Sequence, residues 1–378
     1  MPLAGITVVE IGENIAGPFS AMVLGDFGAT VYKIENPRGG DSTRHLGGGQ
    51  PYGSAFTFHA VNRNKRSVVL DFTKPEDAAL LRRFILEKAD VFIQNMRPGT
   101  LAKYGLDPDA LRRENPRLIC CSVRAFSKEG ENRDKPGYDF MMQAYAGMLA
   151  VTGPNDGEPC RVGMAISDYS TAQWLVIGVL KALRDRDHSG CGCHIETSLF
   201  EVMMNLLGVP VGNYQTSGRE PGRWGSGIAY FFPYQAFPTA DRPVAVAPGN
   251  ERLFRAFCTV LGHAEWADDQ RFTTMQSRWD HRKILYELIV GALKSDVCDE
   301  WVRRFTAAGV PAGPVNSIAD VVGSGEFQAS GISVPLPGRP DVRVMRNPLH
   351  FDGQICPVKL VPPDYGEGTA DFRRLMKD

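Results

Sequence analysis

Strand-like and helix-like segments alternate through the first half of this chain. That alternation predicts an α/β fold with a Rossmann-like, doubly wound parallel sheet in a large domain. Composition changes at residues 208–230, GVPVGNYQTSGREPGRWGSGIAY, which are Gly-rich and polar. Short strands and amphipathic helices follow, predicting a smaller α+β domain. A length of 378 residues agrees with two domains rather than one core. The boundaries expected are 1–207 with 331–378 for the large domain, 208–224 for a linker, and 225–330 for the small domain.

The elements follow in order. ITVVEIG is a first strand, and GPFSAMVLGDFG a helix entered through Gly17-Pro18. ATVYKIE and RSVVLDF have the β-branched, alternating character of strands. KPEDAALLRRFILEKA is an amphipathic helix with acids early and bases late, matching its dipole. DVFIQN and LICCSV continue the pattern. Doubly wound sheets bind ligands beyond the carboxyl ends of their strands, which points to loops 13–18, 35–41, 71–75 and 94–100. None carries GxGxxG or GxxxxGK[ST], so a dinucleotide fingerprint and a P-loop are both missing. The loops do present Arg38, Lys74 and Arg97. Each reads by default as a solvated surface charge, and three on one predicted sheet edge modestly raise the case for a phosphate-bearing ligand. In the second half, YQAFPTADRPVAVAPG reads as a hairpin or meander. ERLFRAFCTVLG, HRKILYELIVGALK and CDEWVRRFTAAG read as helices, and the proline-rich tail as irregular chain folding back.

A formal net charge of -1 with no dense basic block argues against nucleic acid or an anionic membrane as partner. No run approaches the roughly 20 apolar residues that span a bilayer. The N-terminus reads as a strand rather than a signal peptide, so a soluble, cytoplasmic protein is expected. Cys120, Cys121, Cys258 and Cys298 sit in apolar or helical contexts and read as buried thiols. CGCH at 191–194 lacks a second pair at zinc-site spacing and reads as a turn, so no metal is expected.

One acid stands out. VGMAISDYST sets Asp168 in an apolar stretch, at the entrance to the helical STAQWLVIGVLKAL. Such a carboxylate either caps the helix or reacts with something. Taken alone, capping is the better reading, because caps far outnumber nucleophiles.

Several stretches together change that balance. AGP at 16–18, GATVYKIENPRGGDSTR at 28–44, NRNKRSVVLDFTKPE at 62–76 and ADVFIQNMRPGTLAKYGL at 89–106 resemble the class III CoA-transferase family, the carnitine/formyl-CoA type. NPRLICCSV, GYDFMMQAYAGML, ISDYSTAQWLVIGVLKAL, PYQAFPTAD and GVPAGPVN carry the resemblance to residue 316. Each match is weak, but their order and spacing along nearly the whole chain are specific. The resemblance implies an acyl anhydride formed on Asp168, then an aspartyl-CoA thioester. It also implies an interlocked homodimer, and coenzyme A thioester as a substrate rather than a permanently bound cofactor. Carried over by position, the CoA contacts are Asn14, Ile15 and Ala16 in the first loop, with Arg38 toward the nucleotide phosphates. Leu70, Phe72 and Thr73 flank the adenine, Asn95 and Met96 follow, and Lys103 is a further phosphate partner. Lys135 and Tyr138 border the thioester. Core packing is an equal reading for Leu70, Phe72 and Met96, and surface solvation is the bland reading for Arg38 and Lys103.

Departures from the family pattern narrow the chemistry. Oxalate-handling members have glutamine at the position of Ile15 and a tetraglycine loop in the second domain, and both are missing here, which argues against oxalate or formate. PYQAFPTAD and VAVAPGNERLF resemble members handling succinyl-CoA and other dicarboxylates. Gly-Cys-Gly-Cys at 190–193 replaces a glycine-arginine-glycine-glutamine turn, and Ala172 replaces a glycine. Related racemases use a histidine where this chain has Tyr138, and a phenol is a poor proton shuttle beside an imidazole at neutral pH. The expected activity is therefore CoA transfer from an acyl-CoA, plausibly succinyl-CoA, to a small carboxylic acid. The alternatives are an α-methylacyl-CoA racemase-like enzyme and a non-catalytic CoA-binding protein.

Overall fold

The computed structural model describes residues 1–47 and 49–377. The chain folds as two compact units, residues 1–146 with 162–208 and 331–378, and residues 147–161 with 209–330.

The first unit is built on β1 (Thr7–Ile11), α1 (Ala16–Asp26), β2 (Thr30–Glu35), α2 (Phe56–Val61), β3 (Lys65–Val69) and α3 (Pro75–Lys88). It continues with β4 (Val91–Gln94), α4 (Pro108–Glu114), β5 (Ile119–Arg124) and α5 (Asp139–Tyr145). After α6 (Met148–Val151), which belongs to the second unit, come the long α7 (Ile166–Ser189), β6 (His194–Ser198) and α8 (Leu199–Leu206). The six strands pair in the order β3-β2-β1-β4-β5-β6, every neighbour parallel.

A parallel sheet covered on both faces wants apolar side chains in both directions. Val8, Val9, Val91, Phe92, Ile93, Ile119 and Cys120 are accordingly all fully buried. Leu81, Phe84 and Ile85 put the apolar stripe of α3 against the sheet. Helix α3 has proline in its first turn with Glu76 and Asp77, and Lys88 in its last, so its ends match its dipole. Helix α7 buries Ala172, Leu175, Val176, Val179, Ala182 and Leu183 along one stripe. It stops at Gly190, whose φ of 73° is left-handed and whose N–H bonds to Arg186 O at 2.9 Å.

CGCH is the connection from α7 into β6, as expected. A Cβ on Gly192 would lie 2.3 Å from Leu118 O and 2.5 Å from Arg117 O. Only glycine lets that turn lie against the start of β5. Cys120, Cys121, Cys258 and Cys298 are buried.

In the second unit, β7 (Gln235–Phe237), β8 (Val244–Val246) and β9 (Ala312–Pro314) form an antiparallel sheet. Helices Glu251–Val260, Arg282–Leu293 and Cys298–Ala307 take part in a core with Phe237, Phe257, Leu285, Ile289 and Phe305. The hairpin and three helices stand where the sequence places them.

Two segments differ from expectation. Residues 208–224, read as a linker, begin with the helix Gly208–Ser217. Pro210 falls in its first turn, where a missing N–H costs nothing, and the chain leaves the helix at left-handed Gly218. The tail, read as irregular, holds an antiparallel hairpin of Ser333–Leu336 with Arg339–Met345, whose Val342 and Val344 point inward. Prolines at 335, 337 and 340 mask that alternation in the sequence. The C-terminal helix Thr369–Arg374 brings Phe372 within 4.3 Å of the Phe84 ring.

Substituting Gly192→Ala forces backbone atoms apart. Chemical denaturation should show a loss of about 1–3 kcal/mol. A change within about 0.5 kcal/mol, the range of an ordinary surface substitution, would contradict the close approach.

Candidate functional site

The strand order reverses direction between β1 and β4, so the loops leaving them diverge to opposite faces and open a crevice. A cleft of about 230 Å³ lies there, and its walls include Asn14 and Ala16 after β1, Asn95 and Met96 after β4, and Lys135, Tyr138 and Asp168.

The two loops are tied to each other. The Glu13 N–H donates to Asn95 Oδ1 at 3.1 Å, and Asn95 Nδ2 donates to Glu13 O at 2.8 Å. An added Cβ at Gly12 would sit 2.9 Å from Glu10 Oε1 and 3.2 Å from Asn95 Oδ1, so a larger residue there would displace two hydrogen-bonded side chains. Asn14 adopts a φ of 67°, which asparagine tolerates better than most residues, and its N–H donates to Asp41 Oδ1 at 3.3 Å.

Asp168 occupies the third position of α7, not its cap. The cap position is Ala165, whose side chain has nothing to offer. The capping is done by Asp139, the first residue of α5. Its Oδ1 accepts the Ser167 N–H at 3.0 Å and the Ser167 hydroxyl at 2.9 Å. Its Oδ2 accepts from Gln143 Nε2 at 2.8 Å. Gln143 also accepts the Val162 N–H at 2.8 Å, which fixes the approach to α7.

Relieved of capping, the Asp168 carboxylate is partly buried and accepts no hydrogen bond among the described residues. Burial, and then the Asp139 charge, push its carboxyl up to about 7. The amino end of α7 favours the anion, but burial outweighs it. A carboxylate left with so little solvation holds its electron pair loosely and is a stronger nucleophile than one in water.

Of the positions carried over from the family, Asn14, Ala16, Asn95, Met96, Lys135 and Tyr138 share the cleft with Asp168. Ile15 is the cap residue of α1 beside it. Arg38, Phe72, Thr73 and Lys103 lie outside the cleft walls, around the ends of β2 and β3 and the turn Leu101–Tyr104. The Phe72 ring is 5.8 Å from that of Tyr104. Thr73 hydrogen bonds, with lesser help from Lys74 and Arg38, hold Asp71 below the usual carboxylate range. Met96 packs on the same apolar cluster as Phe72 and also faces the cleft, so it joins the two groups. Leu70 has surroundings that match the core-packing reading. It is 1% exposed in the core under Phe72, and its side chain offers a ligand no apolar face.

Asp139 and Gln143 were not singled out from the sequence. Their signal is the four-residue spacing in GYDFMMQ, which sets both on one face of α5.

Because the Asp168 carboxyl lies above the ordinary unfolded value of about 3.9, ionising it disfavours the folded state. Its contribution to stability falls as pH rises from about 4 to about 7. Asp168→Asn removes that cost, so at pH 8 the variant should melt about 2 °C or more above the wild type, the gap closing toward pH 5. A lower melting temperature at pH 8 would contradict this environment.

Comparison with known proteins places this geometry in context. The profile of "CoA-transferase family III" matches residues 3–369. A succinate–glutarate CoA-transferase of Agrobacterium fabrum is 38% identical, covering 98% of this chain and 94% of its own. The mouse succinyl-CoA:glutarate CoA-transferase is 32% identical over 89% of this chain and 77% of its own. An acetyl-CoA:oxalate CoA-transferase of Acetobacter aceti is 33% identical over 94% and 90%. A crystal structure of a CAIB/BAIF family protein from Brucella suis superposes with a TM-score of 0.88 at 37% identity, covering 100% of this chain and 99% of the other.

Proposed function

Because this chain belongs to the CoA-transferase family III and moves CoA between an acyl-CoA and a carboxylic acid, we propose that Asp168 carries the transfer covalently, with succinyl-CoA as donor and a small dicarboxylate as acceptor. The observation that carries this reading is a carboxylate in the switch-point cleft that has no hydrogen-bond partner among the described residues and no capping duty.

The steps balance without water or metal. An Asp168 oxygen attacks the thioester carbonyl and the C–S bond breaks, giving a mixed anhydride and CoA thiolate. The thiolate attacks the aspartyl carbonyl, releasing succinate and leaving an aspartyl-CoA thioester. The acceptor carboxylate displaces the thiolate to form a second anhydride. The thiolate then attacks the acceptor carbonyl, giving the new acyl-CoA and restoring the Asp168 carboxylate. Dividing one exchange into reversible acyl transfers is ordinary nucleophilic catalysis. Each anhydride is lost if water reaches it, which suits a site at the buried start of a helix.

In this reading Asn14, Ala16, Asn95 and Met96 hold the pantetheine end of CoA, and Lys135 and Tyr138 border the thioester. Arg38, Phe72, Thr73 and Lys103 receive the nucleotide. The non-catalytic alternative loses its basis, since Asp139 and not Asp168 caps α7. A proton-shuttling racemase needs a second base, and no histidine is among the described cleft walls. Succinyl-CoA and a dicarboxylate acceptor rest on the relatives named for succinate and glutarate. A homodimer belongs to the same proposal, supported by Trp174 and Ile177, which α7 exposes by 47% and 55%. Eight free cysteines fit a reducing compartment such as the cytoplasm.

Incubation with succinyl-CoA and hydroxylamine should trap a hydroxamate on Asp168, located by peptide mass spectrometry. Asp168→Asn should give no adduct and lower kcat at least about 10³-fold, while binding CoA with near wild-type affinity. Transfer at wild-type rate by this variant would remove Asp168 from the chemistry.

A further inference from the structure

Beneath the cleft, three neighbouring strands each bury a charged side chain: Glu10 on β1, Lys33 on β2 and Lys65 on β3, all 0% exposed. Lys33 Nζ lies 3.0 Å from Glu10 Oε1 and 2.8 Å from Asp41 Oδ2, and Lys65 Nζ lies 2.8 Å from Glu10 Oε2. Two bases face two acids, so the cluster is neutral as a whole.

Stability alone is a weak reason for such a cluster. Replacing a buried ion cluster by apolar groups of similar volume is often neutral or stabilising. Burial draws Lys65 down to about 8, against the pull of Glu10. Lys33 suffers the same desolvation, yet Asp41 and Glu10 carry it above the ordinary lysine value.

The geometry gives the cluster a different use. Lys33 donates to Gly12 O at 2.8 Å, and Lys65 donates to Pro18 O at 2.7 Å. Asp41, held by Lys33, accepts the Asn14 N–H. The β1–α1 loop and the first turn of α1 are thus anchored at residues 12, 14 and 18, and the segment between supplies Asn14 and Ala16 to the cleft. Each ammonium has three donors. Lys33 uses its three on Glu10, Asp41 and Gly12 O, and Lys65 its three on Glu10, Pro18 O and Asn62 Oδ1. Neither has a donor left for a substrate.

We propose that Lys33 and Lys65, aligned by Glu10, are positioning residues that hold the 12–18 loop in the one conformation that presents Asn14 and Ala16 to the acyl-CoA. They act through the backbone and never touch the substrate. The inference rests on the cleft being the acyl-CoA site.

The test compares wild type, Lys65→Met and the double variant Glu10→Gln/Lys65→Met. The single change strands half of Glu10 and endangers folding. The double change removes one charge of each sign and leaves Lys33 with Asp41. Each protein is assayed with succinyl-CoA and glutarate, by thermal melting, and by hydroxylamine trapping at saturating succinyl-CoA. The double variant should melt near the wild-type temperature and still form the Asp168 hydroxamate. Its KM for succinyl-CoA should rise about tenfold or more, with kcat changed much less. Wild-type KM in a folded double variant would overturn the proposal. So would a double variant that cannot fold, since the cluster would then be a stability element. A wild type that forms no hydroxamate would instead refute the Asp168 mechanism, which separates the two failures.

Discussion

In the proposed mechanism the Asp168 carboxylate attacks a thioester, and the constraint on which that site depends is keeping water from solvating the carboxylate. Water stabilises a carboxylate more than it stabilises the spread charge of the addition step, so the nucleophile must give up hydration beforehand. Asp168 does so at the start of a long helix, partly buried, with the Asp139 charge nearby. Those two influences push its carboxyl up to about 7, where an appreciable fraction stays ionised at neutral pH. A capping carboxylate would have its lone pairs engaged by backbone N–H groups. The fold gives that duty to Asp139, which accepts two hydrogen bonds from Ser167 and one from Gln143.

The sheet supplies the place. Its switch point between β1 and β4 opens a crevice in any doubly wound fold. Here the crevice is shaped by Asn95, which clamps Glu13, and by the buried lysines under the β1–α1 loop. These groups sit on or just after β1 to β4, while Asp168 comes from a helix packed beside α1. In the proposed mechanism that division keeps the groups that hold the acyl-CoA apart from the carboxylate whose bonded partner changes.

How much of this was legible follows from whether the partners are local. The strands were legible because a sheet buried on both faces leaves continuous apolar runs such as TVVEI and VFIQ. The helix at 208–217 was not, since proline and glycine suggest a linker until their position in the first turn is known. Asp168 was legible as an acid in an apolar setting. Its release from capping was not, because the substitute cap lies 28 residues upstream of Ser167. Lys33 was not singled out in the sequence, because the pairing of β1 with β2 sets it against Glu10 and the loop after β2 brings Asp41 to it. The individual CoA positions came from family resemblance. Leu70 shows where that transfer meets the local packing, since its side chain belongs to the core.

The most direct measurement follows oxygen. When an acceptor carboxylate displaces CoA from the aspartyl thioester, its own oxygen bridges the second anhydride and stays behind on the aspartate. Glutarate labelled with heavy oxygen in its carboxylates, turned over with succinyl-CoA, should leave label in the Asp168 carboxyl group, as read by mass spectrometry of that peptide. Formation of glutaryl-CoA with Asp168 unlabelled would contradict the account, because transfer would then have passed from acid to acid without visiting the aspartate.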